Sequence, residues 1–153
     1  MRLADTIDKA RTTGSGFALL YIDIDNMKHF NMHNGHLVGN EMLKRFVALV
    51  EPLLRDQDSL FRVGGDEFAI ISPKSSREES LHLSQQICDL ARDMLAPPQP
   101  THCGDRHCMG PAKISASIGI GLFEHNMSAE SLLQSVEKKM YDAKCAGRDH
   151  VWI

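Results

Sequence analysis

The chain has 153 residues, 42% of them hydrophobic and 24% charged, with a formal net charge of −3. That length suits one domain with a core of its own, and the composition excludes a disordered or fibrous chain. The slight negative balance argues against bulk electrostatic binding of nucleic acid, so any phosphate site has to be local. The longest apolar run, FALLYI at 17–22, falls far short of the roughly 20 residues that span a bilayer. MRLADTIDKARTTG contains no apolar stretch of the secretory kind, which gives a cytoplasmic setting, with no membrane segment and reduced Cys88, Cys103, Cys108 and Cys145, as the expectation.

Residues 2–11 suit a short amphipathic helix, ended by TTGSG. FALLYID at 17–23 is a continuous apolar run of strand length and predicts a central strand buried on both faces. A short helix over 26–33 is stopped by Asn34-Gly35. From Val38 to Leu54, Met42, Phe46, Val50 and Leu53 recur at helical spacing. SLFRV and EFAIIS read as two strands joined at Gly64, Gly65 and Asp66, a tight connection where glycine supplies positive φ. Ser76 and Glu79 form a capping box for a helix striped with Leu81, Ile87, Ala91 and Met94. APPQPTHCGDRHCMGP, 96–111, reads as a surface loop; KISASIGIGLF alternates like a half-buried strand. Ser128 caps a helix carrying Leu132, Val136, Met140 and Ala143, and HVWI closes as a strand. The order βααββαβαβ predicts one α+β domain over 1–153, a five-stranded sheet flanked by helices.

Asp23 ends the first strand, and Asp66 and Glu67 sit where the next two meet. If those strands are neighbours, the three carboxylates converge at one edge of the sheet. Such a set repels itself unless a cation is shared, and Mg²⁺ suits it because it takes carboxylates together with substrate phosphates. Acids in a glycine turn are ordinarily solvated turn formers. Here a helix N-terminus follows the first carboxylate directly in DIDNMKHF, offering backbone N–H groups to phosphate oxygens. In YDAKCAGRD, Lys144 and Arg148 stand four apart at the end of a helix, a spacing that points two cations the same way.

Taken together, DIDNMKHFN with NGH and GN beyond it, RVGGDEF and YDAKCAGRD resemble, in order and spacing, the GGDEF family of diguanylate cyclases, from Phe17 to the C-terminus. The resemblance implies a mostly antiparallel sheet similar to the palm of class III nucleotidyl cyclases and some polymerases. It implies an enzyme that condenses two GTP into cyclic di-GMP and pyrophosphate with Mg²⁺ or Mn²⁺. On it, Asp23, the Ile24 carbonyl and Asp66 hold metal, and Glu67 is a further acid at the reaction centre, assisting metal or proton transfer. Asn26, Met27, Lys28, Lys144 and Arg148 hold the triphosphate, and Asn31 contacts guanine. Each domain binds one GTP, so catalysis implies a homodimer, and a fused or partner sensory domain is expected. RDQD at 55–58 matches the family's RxxD inhibitory motif, which implies a cyclic di-GMP product site at Arg55 and Asp58.

Several positions depart from that pattern. Asn40 stands where the family usually has an aspartate that accepts from guanine; an amide offers an acceptor and donors where a carboxylate offers acceptors alone. Relaxed base selectivity, admitting ATP, is one consequence, and a GTP- or cyclic di-GMP-binding regulatory module with weak or lost turnover is the alternative function. Met27 and Met32 replace the family's usual phenylalanine and aspartate, and the DxLTGLxNR stretch that usually precedes the first strand is missing from MRLADTIDKARTTGSG. HCGDRHC groups His102, Cys103, His107 and Cys108, ligand types that zinc favours, but without the usual C-x₂-C spacing; a solvated hairpin tip is the better reading. His36 is expected to be structural, and Met140 and Tyr141 to be packing residues.

Overall fold

The computed structural model describes residues 3–94 and 114–153. Along the chain it has helix α1 (Leu3–Thr13), strand β1 (Phe17–Asp25), helices α2 (Met27–Asn34) and α3 (His36–Val50), a 3₁₀ turn at Glu51–Leu53 and strands β2 (Ser59–Arg62) and β3 (Glu67–Pro73). Helix α4 (Arg77–Asp93), strand β4 (Ser115–Leu122), helix α5 (Ala129–Cys145) and strand β5 (Val151–Trp152) follow. The strands form one sheet in the order β2-β3-β1-β4-β5, antiparallel throughout except for β4 and β5, which run parallel. The expected order of elements and the mostly antiparallel five-stranded sheet are both found. The HCGDRHC stretch and the expected loop over 96–111 lie outside the described residues.

All nine residues of β1 are buried, as a central strand with helices on both sides requires. Because side chains alternate across a strand, Ala18, Leu20, Ile22 and Ile24 enter one core with Phe30 of α2, Phe46 of α3 and Ile87 of α4. Phe17, Leu19 and Tyr21 enter the other with Ile7 of α1 and Leu132, Val136 and Met140 of α5. Fully burying one such side chain contributes about 1.5–3 kcal/mol, so the doubly covered strand anchors the domain.

Local punctuation acts as the residues suggest. Ser76 and Glu79 form a reciprocal capping box at α4, and Ser128 with Ser131 does the same at α5. Gly35, at φ 82°, separates α2 from α3, and Pro52 falls in the 3₁₀ turn that ends α3.

Four local expectations are corrected. The positive-φ glycines among the described residues are Gly14, Gly35 and Gly147, so Gly64 and Gly65 do not serve a left-handed turn. A Cβ at Gly64 would instead stand 2.6 Å from Glu67 Oε2, so that glycine leaves room for a carboxylate. Strand β4 is buried on both faces rather than half-buried, because it lies between β1 and β5 under α5. Tyr141 is 64% exposed and does not pack on the sheet, although Met140 does. Arg148 lies beyond the end of α5 at φ 64°, so helical spacing does not align it with Lys144.

Helix α5 approaches β4 across Gly119 and Gly121. A Cβ at Gly119 would meet the Val136 carbonyl oxygen at 2.1 Å and the Met140 nitrogen at 2.5 Å, both helix backbone that cannot step aside. Gly119→Ala is expected to destabilise the fold by about 3 kcal/mol, at the upper end of ordinary overpacking, read as a lowered urea midpoint.

Candidate active site

Strand β1 delivers two carboxylates to the end of the sheet. Asp23 is 4% exposed and stands opposite Glu67 of β3 and Ser117 of β4. Burial pushes its carboxyl up to about 6, against the Lys144 ammonium, which lowers it from 2.6 Å away, while Asp66 and Asp25 raise it further. Asp66 belongs to the β2–β3 connection, whose backbone is fastened to β1 by a hydrogen bond of 3.0 Å from the Ile24 N–H to the Asp66 carbonyl. Arg62 clamps the same connection, donating to the Gly65 carbonyl at 2.6 Å and the Gly64 carbonyl at 3.2 Å.

Glu67 is the cross-strand neighbour of Asp23, but its Oε2 accepts from the Tyr21 hydroxyl at 3.5 Å and lies over Gly64. Tyr21 is buried on the α5 side of the sheet; desolvation first, then Glu67, pushes its hydroxyl up to about 12. Among the described residues no three acidic, histidine or cysteine side chains stand ready as a closed metal cage. The site offers Asp23, Asp66 and the Ile24 carbonyl, hard oxygens that fit Mg²⁺, which keeps its remaining positions for water and phosphate.

Two cavities open at this edge. One, of about 330 Å³, is lined by Asp23, Ile24, Asp25, Asn26, Met27, Lys28, His29, Met32, Asp66, Lys144 and Arg148. The other, of about 510 Å³, is lined by Met27, Lys28, Asn31, Met32, His36, Asn40, Leu43, Arg62, Gly65 and Asp66. They share Met27, Lys28, Met32 and Asp66, so one cleft runs from a charged end to an amide end. At the charged end α2 starts with Asn26 in the left-handed conformation at φ 65°, which turns the chain from the strand into the helix. At the amide end the Asn31 Oδ1 is buried with no hydrogen-bond partner among the described residues. It fills the space over Gly39, where a Cβ would stand 1.7 Å from it.

The cleft therefore gathers Asp23, Ile24, Asn26, Met27, Lys28, Asn31, Asn40, Asp66, Lys144 and Arg148, all singled out from the sequence, with Glu67 beside it. His36, expected to be structural, lines the amide end, and neither Arg62 nor Asp25 was anticipated. Arg62 had a legible signal in its place directly before the glycine connection. Asp25 had one as well: it shares the strand face of Asp23, two residues on.

Arg55 and Asp58 stand apart from the cleft and bind each other. Asp58, its side chain 2% exposed, accepts from the Arg55 backbone N–H at 2.9 Å, from the Arg55 guanidinium at 3.1 and 3.2 Å and from the Ser72 hydroxyl at 2.8 Å. The guanidinium remains 39% exposed and also donates to Ser72 and to the Pro73 carbonyl.

Comparison with known proteins bears on this arrangement. The family model described as "Diguanylate cyclase, GGDEF domain" matches residues 1–150. The chain is a GGDEF domain. Curated relatives include the diguanylate cyclase DgcP of Pseudomonas aeruginosa, 31% identical over 99% of this chain and 21% of that protein. The diguanylate cyclase DgcS of Shewanella oneidensis is 29% identical over 96% of this chain and 45% of its own length. The domain thus spans less than half of either relative. Among solved structures, the GGDEF domain of DgcB from Caulobacter crescentus, in complex with c-di-GMP, superposes with a TM-score of 0.86 at 22% identity, covering 98% of this chain and 84% of that one. The GGDEF domain of PA1120 from Pseudomonas aeruginosa gives a TM-score of 0.81 at 27% identity, covering 99% and 89%. Among the described residues no helix is long and apolar enough to cross a membrane.

In this GGDEF domain Gly39 and Asn31 are one device: the missing side chain of the first seats the amide of the second. Gly39→Ala is expected to expel that amide from its seat, with little change in the thermal midpoint because the end of a flexible side chain can step aside. The solvent exposure of the Asn31 side-chain amide, followed by NMR, beside a melting curve reads both.

Proposed function

We propose that this domain condenses two molecules of GTP into cyclic di-GMP with release of pyrophosphate. The observation that carries the reading is the continuous cleft, with acids and cations facing each other at one end and unpartnered amide chemistry at the other. Lys28, Lys144, Arg148 and the first N–H groups of α2 suit a triphosphate. The Asn31 Oδ1 suits a base that presents N–H donors, as guanine does.

In each half-reaction the ribose 3′-oxygen of one nucleotide bonds to the α-phosphorus of the other and the bond to pyrophosphate breaks. Asp23, Asp66 and the Ile24 carbonyl would hold the metal. Bound there, Mg²⁺ or Mn²⁺ supplies a Lewis acid that neutralises the triphosphate and lowers the cost of a 3′-alkoxide. Glu67, steadied by Tyr21 and given room by Gly64, takes up the 3′-hydroxyl proton. Lys144 exchanges Asp23 for a phosphate oxygen when nucleotide enters. The product site assigned to Arg55 and Asp58 starts from the exposed guanidinium; a guanine reaching Asp58 has first to open the ion pair and displace Ser72. A cytoplasmic setting, where GTP is available, belongs to the same reading, as does a sensory domain elsewhere in a longer protein.

One chain offers one such cleft, so two chains must face each other. Around its mouth Met32 is 75% exposed and Leu37 82%, apolar surface that suits a contact made and broken during turnover. Specific activity with GTP and Mg²⁺ is expected to rise with protein concentration over a hundredfold dilution series, followed by product mass spectrometry. A flat series would remove the dimer from the mechanism, and no product with either Mg²⁺ or Mn²⁺ under enforced dimerisation would favour a binding module.

Asn40 favours a second reading of the base end, in which selectivity is relaxed. Its amide shares the cavity with Asn31, and an amide pair complements the acceptor and donor of adenine as readily as it serves guanine. Incubation with GTP and ATP together is expected to yield mixed cyclic dinucleotides, and Asn40→Asp to restore guanine preference about tenfold or more. Strict GTP use by the unaltered chain would end the idea.

A further inference from the structure

Asp25 is a charged side chain left 1% exposed and unused by the reaction just described. Its carboxylate accepts from the Ser115 hydroxyl at 2.7 Å and from the Ser117 hydroxyl at 2.9 and 3.1 Å, both on β4. A further donor comes from the other end of the chain: the backbone N–H of Asp149, 3.1 Å from Asp25 Oδ2. A buried carboxylate is costly unless such donors surround it, so the arrangement holds the donors in place as firmly as it satisfies the acid.

The segment it holds is unusual. Gly147, Arg148 and Asp149 have φ of 122°, 64° and 54°, three successive residues in the left-handed half of backbone space, two of them not glycine. A non-glycine residue there crowds its Cβ against the backbone carbonyl and persists only where its surroundings impose it. What imposes it is visible on three sides. The Arg148 N–H donates to the Ala143 carbonyl at 3.2 Å, Asp149 pairs with Arg92 of α4 at 2.6 Å, and the Asp149 N–H is tied to Asp25. The outcome is that Arg148, beyond the helix and by itself free to point anywhere, lines the charged end of the cleft together with Asp23.

We infer that Asp25 is a positioning residue for nucleotide binding, acting through Arg148 by clamping the left-handed Gly147–Asp149 segment against the sheet. This rests on the proposal that Arg148 holds the triphosphate. Asp25 borders the charged cavity, but its oxygens are already taken by Ser115, Ser117 and the Asp149 N–H, so its role requires no contact with the nucleotide. Removing the clamp lets the segment relax toward ordinary φ and withdraws the guanidinium while the rest of the cleft remains.

The test is a double-mutant cycle on GTP affinity in Mg²⁺, measured by titration calorimetry on the full chain, with a melting curve for each variant. Arg148→Ala is expected to weaken GTP about tenfold, as for the loss of one charge-assisted contact, and Asp25→Ala by a similar factor. The double variant is expected to be no weaker than Arg148→Ala alone within about twofold, because the second change removes what the first has already disabled. Because Asp25→Ala leaves buried hydroxyls unpaired and can fail to fold, Gly147→Ala runs the same cycle from the surface. A Cβ there meets nothing within 4 Å, so its effect comes from backbone strain alone. It is expected to weaken GTP in the native background and to add nothing in Arg148→Ala. Additive losses in either cycle, or Asp25→Ala lowering the melting point with GTP affinity intact, would overturn the inference and leave the role of Arg148 standing. No loss from Arg148→Ala itself would overturn both.

Discussion

The burial of β1 is the constraint from which the site follows. A strand covered by helices on both faces has no water to offer a side chain, yet its last three residues are Asp23, Ile24 and Asp25. Each acid must be answered inside the protein, and the two are answered differently. Asp25 receives fixed hydroxyl and amide donors; Asp23 receives a single ammonium on a flexible stem and is left with its proton affinity raised. One sheet end thereby holds both a spent carboxylate and one still open to exchange, which is the difference between a scaffold and a site.

The same strand fixes what lies around it. Antiparallel pairing sets Glu67 opposite Asp23 and carries the β2–β3 connection over Ile24, while β4 brings its serines to the other side. Cations then arrive from α2, from α5 and from the chain beyond α5. Helix α2 lies far in sequence from α5 and the chain beyond it, and only the register of the sheet makes their spacing dependable.

Much of this was legible from residue order because it depends on periodicity and punctuation. A run of apolar residues ending in acid, a helix start directly after it, a capping box at Ser76, a cap at Ser128, and Asn34-Gly35 between α2 and α3 are local signals, and each fell where the structure has it. The family resemblance implied that Asp23, Asp66 and Lys144 share one site, and all three line one cavity. What was not legible depended on contacts across the sheet. The reason for Gly64 is the Glu67 carboxylate and that for Gly39 the Asn31 amide, neither of which a turn rule detects. Strand β4 alternates small and large residues as a half-solvated strand would, but the small ones, Gly119 and Gly121, admit a helix rather than water. Arg148 lies in a backbone conformation that no spacing rule anticipates, and the partners of Asp25 come from β4 and from Asp149, far along the chain.

The glycines of β4 also set a length. With the α5 backbone seated on Gly119 at Val136 and Met140, the helix runs on by about 1.5 Å per residue, so Lys144 emerges about 6 Å beyond Met140. Its reach to the acid is therefore a mechanical quantity, determined by how deeply the helix beds into the sheet rather than by anything at the mouth of the cleft. Loss of bedding depth would be transmitted along a rigid rod and felt as a change in charge geometry. Substitutions in the floor of this domain would then be read at the bench as defects of ligand handling, although they touch no ligand.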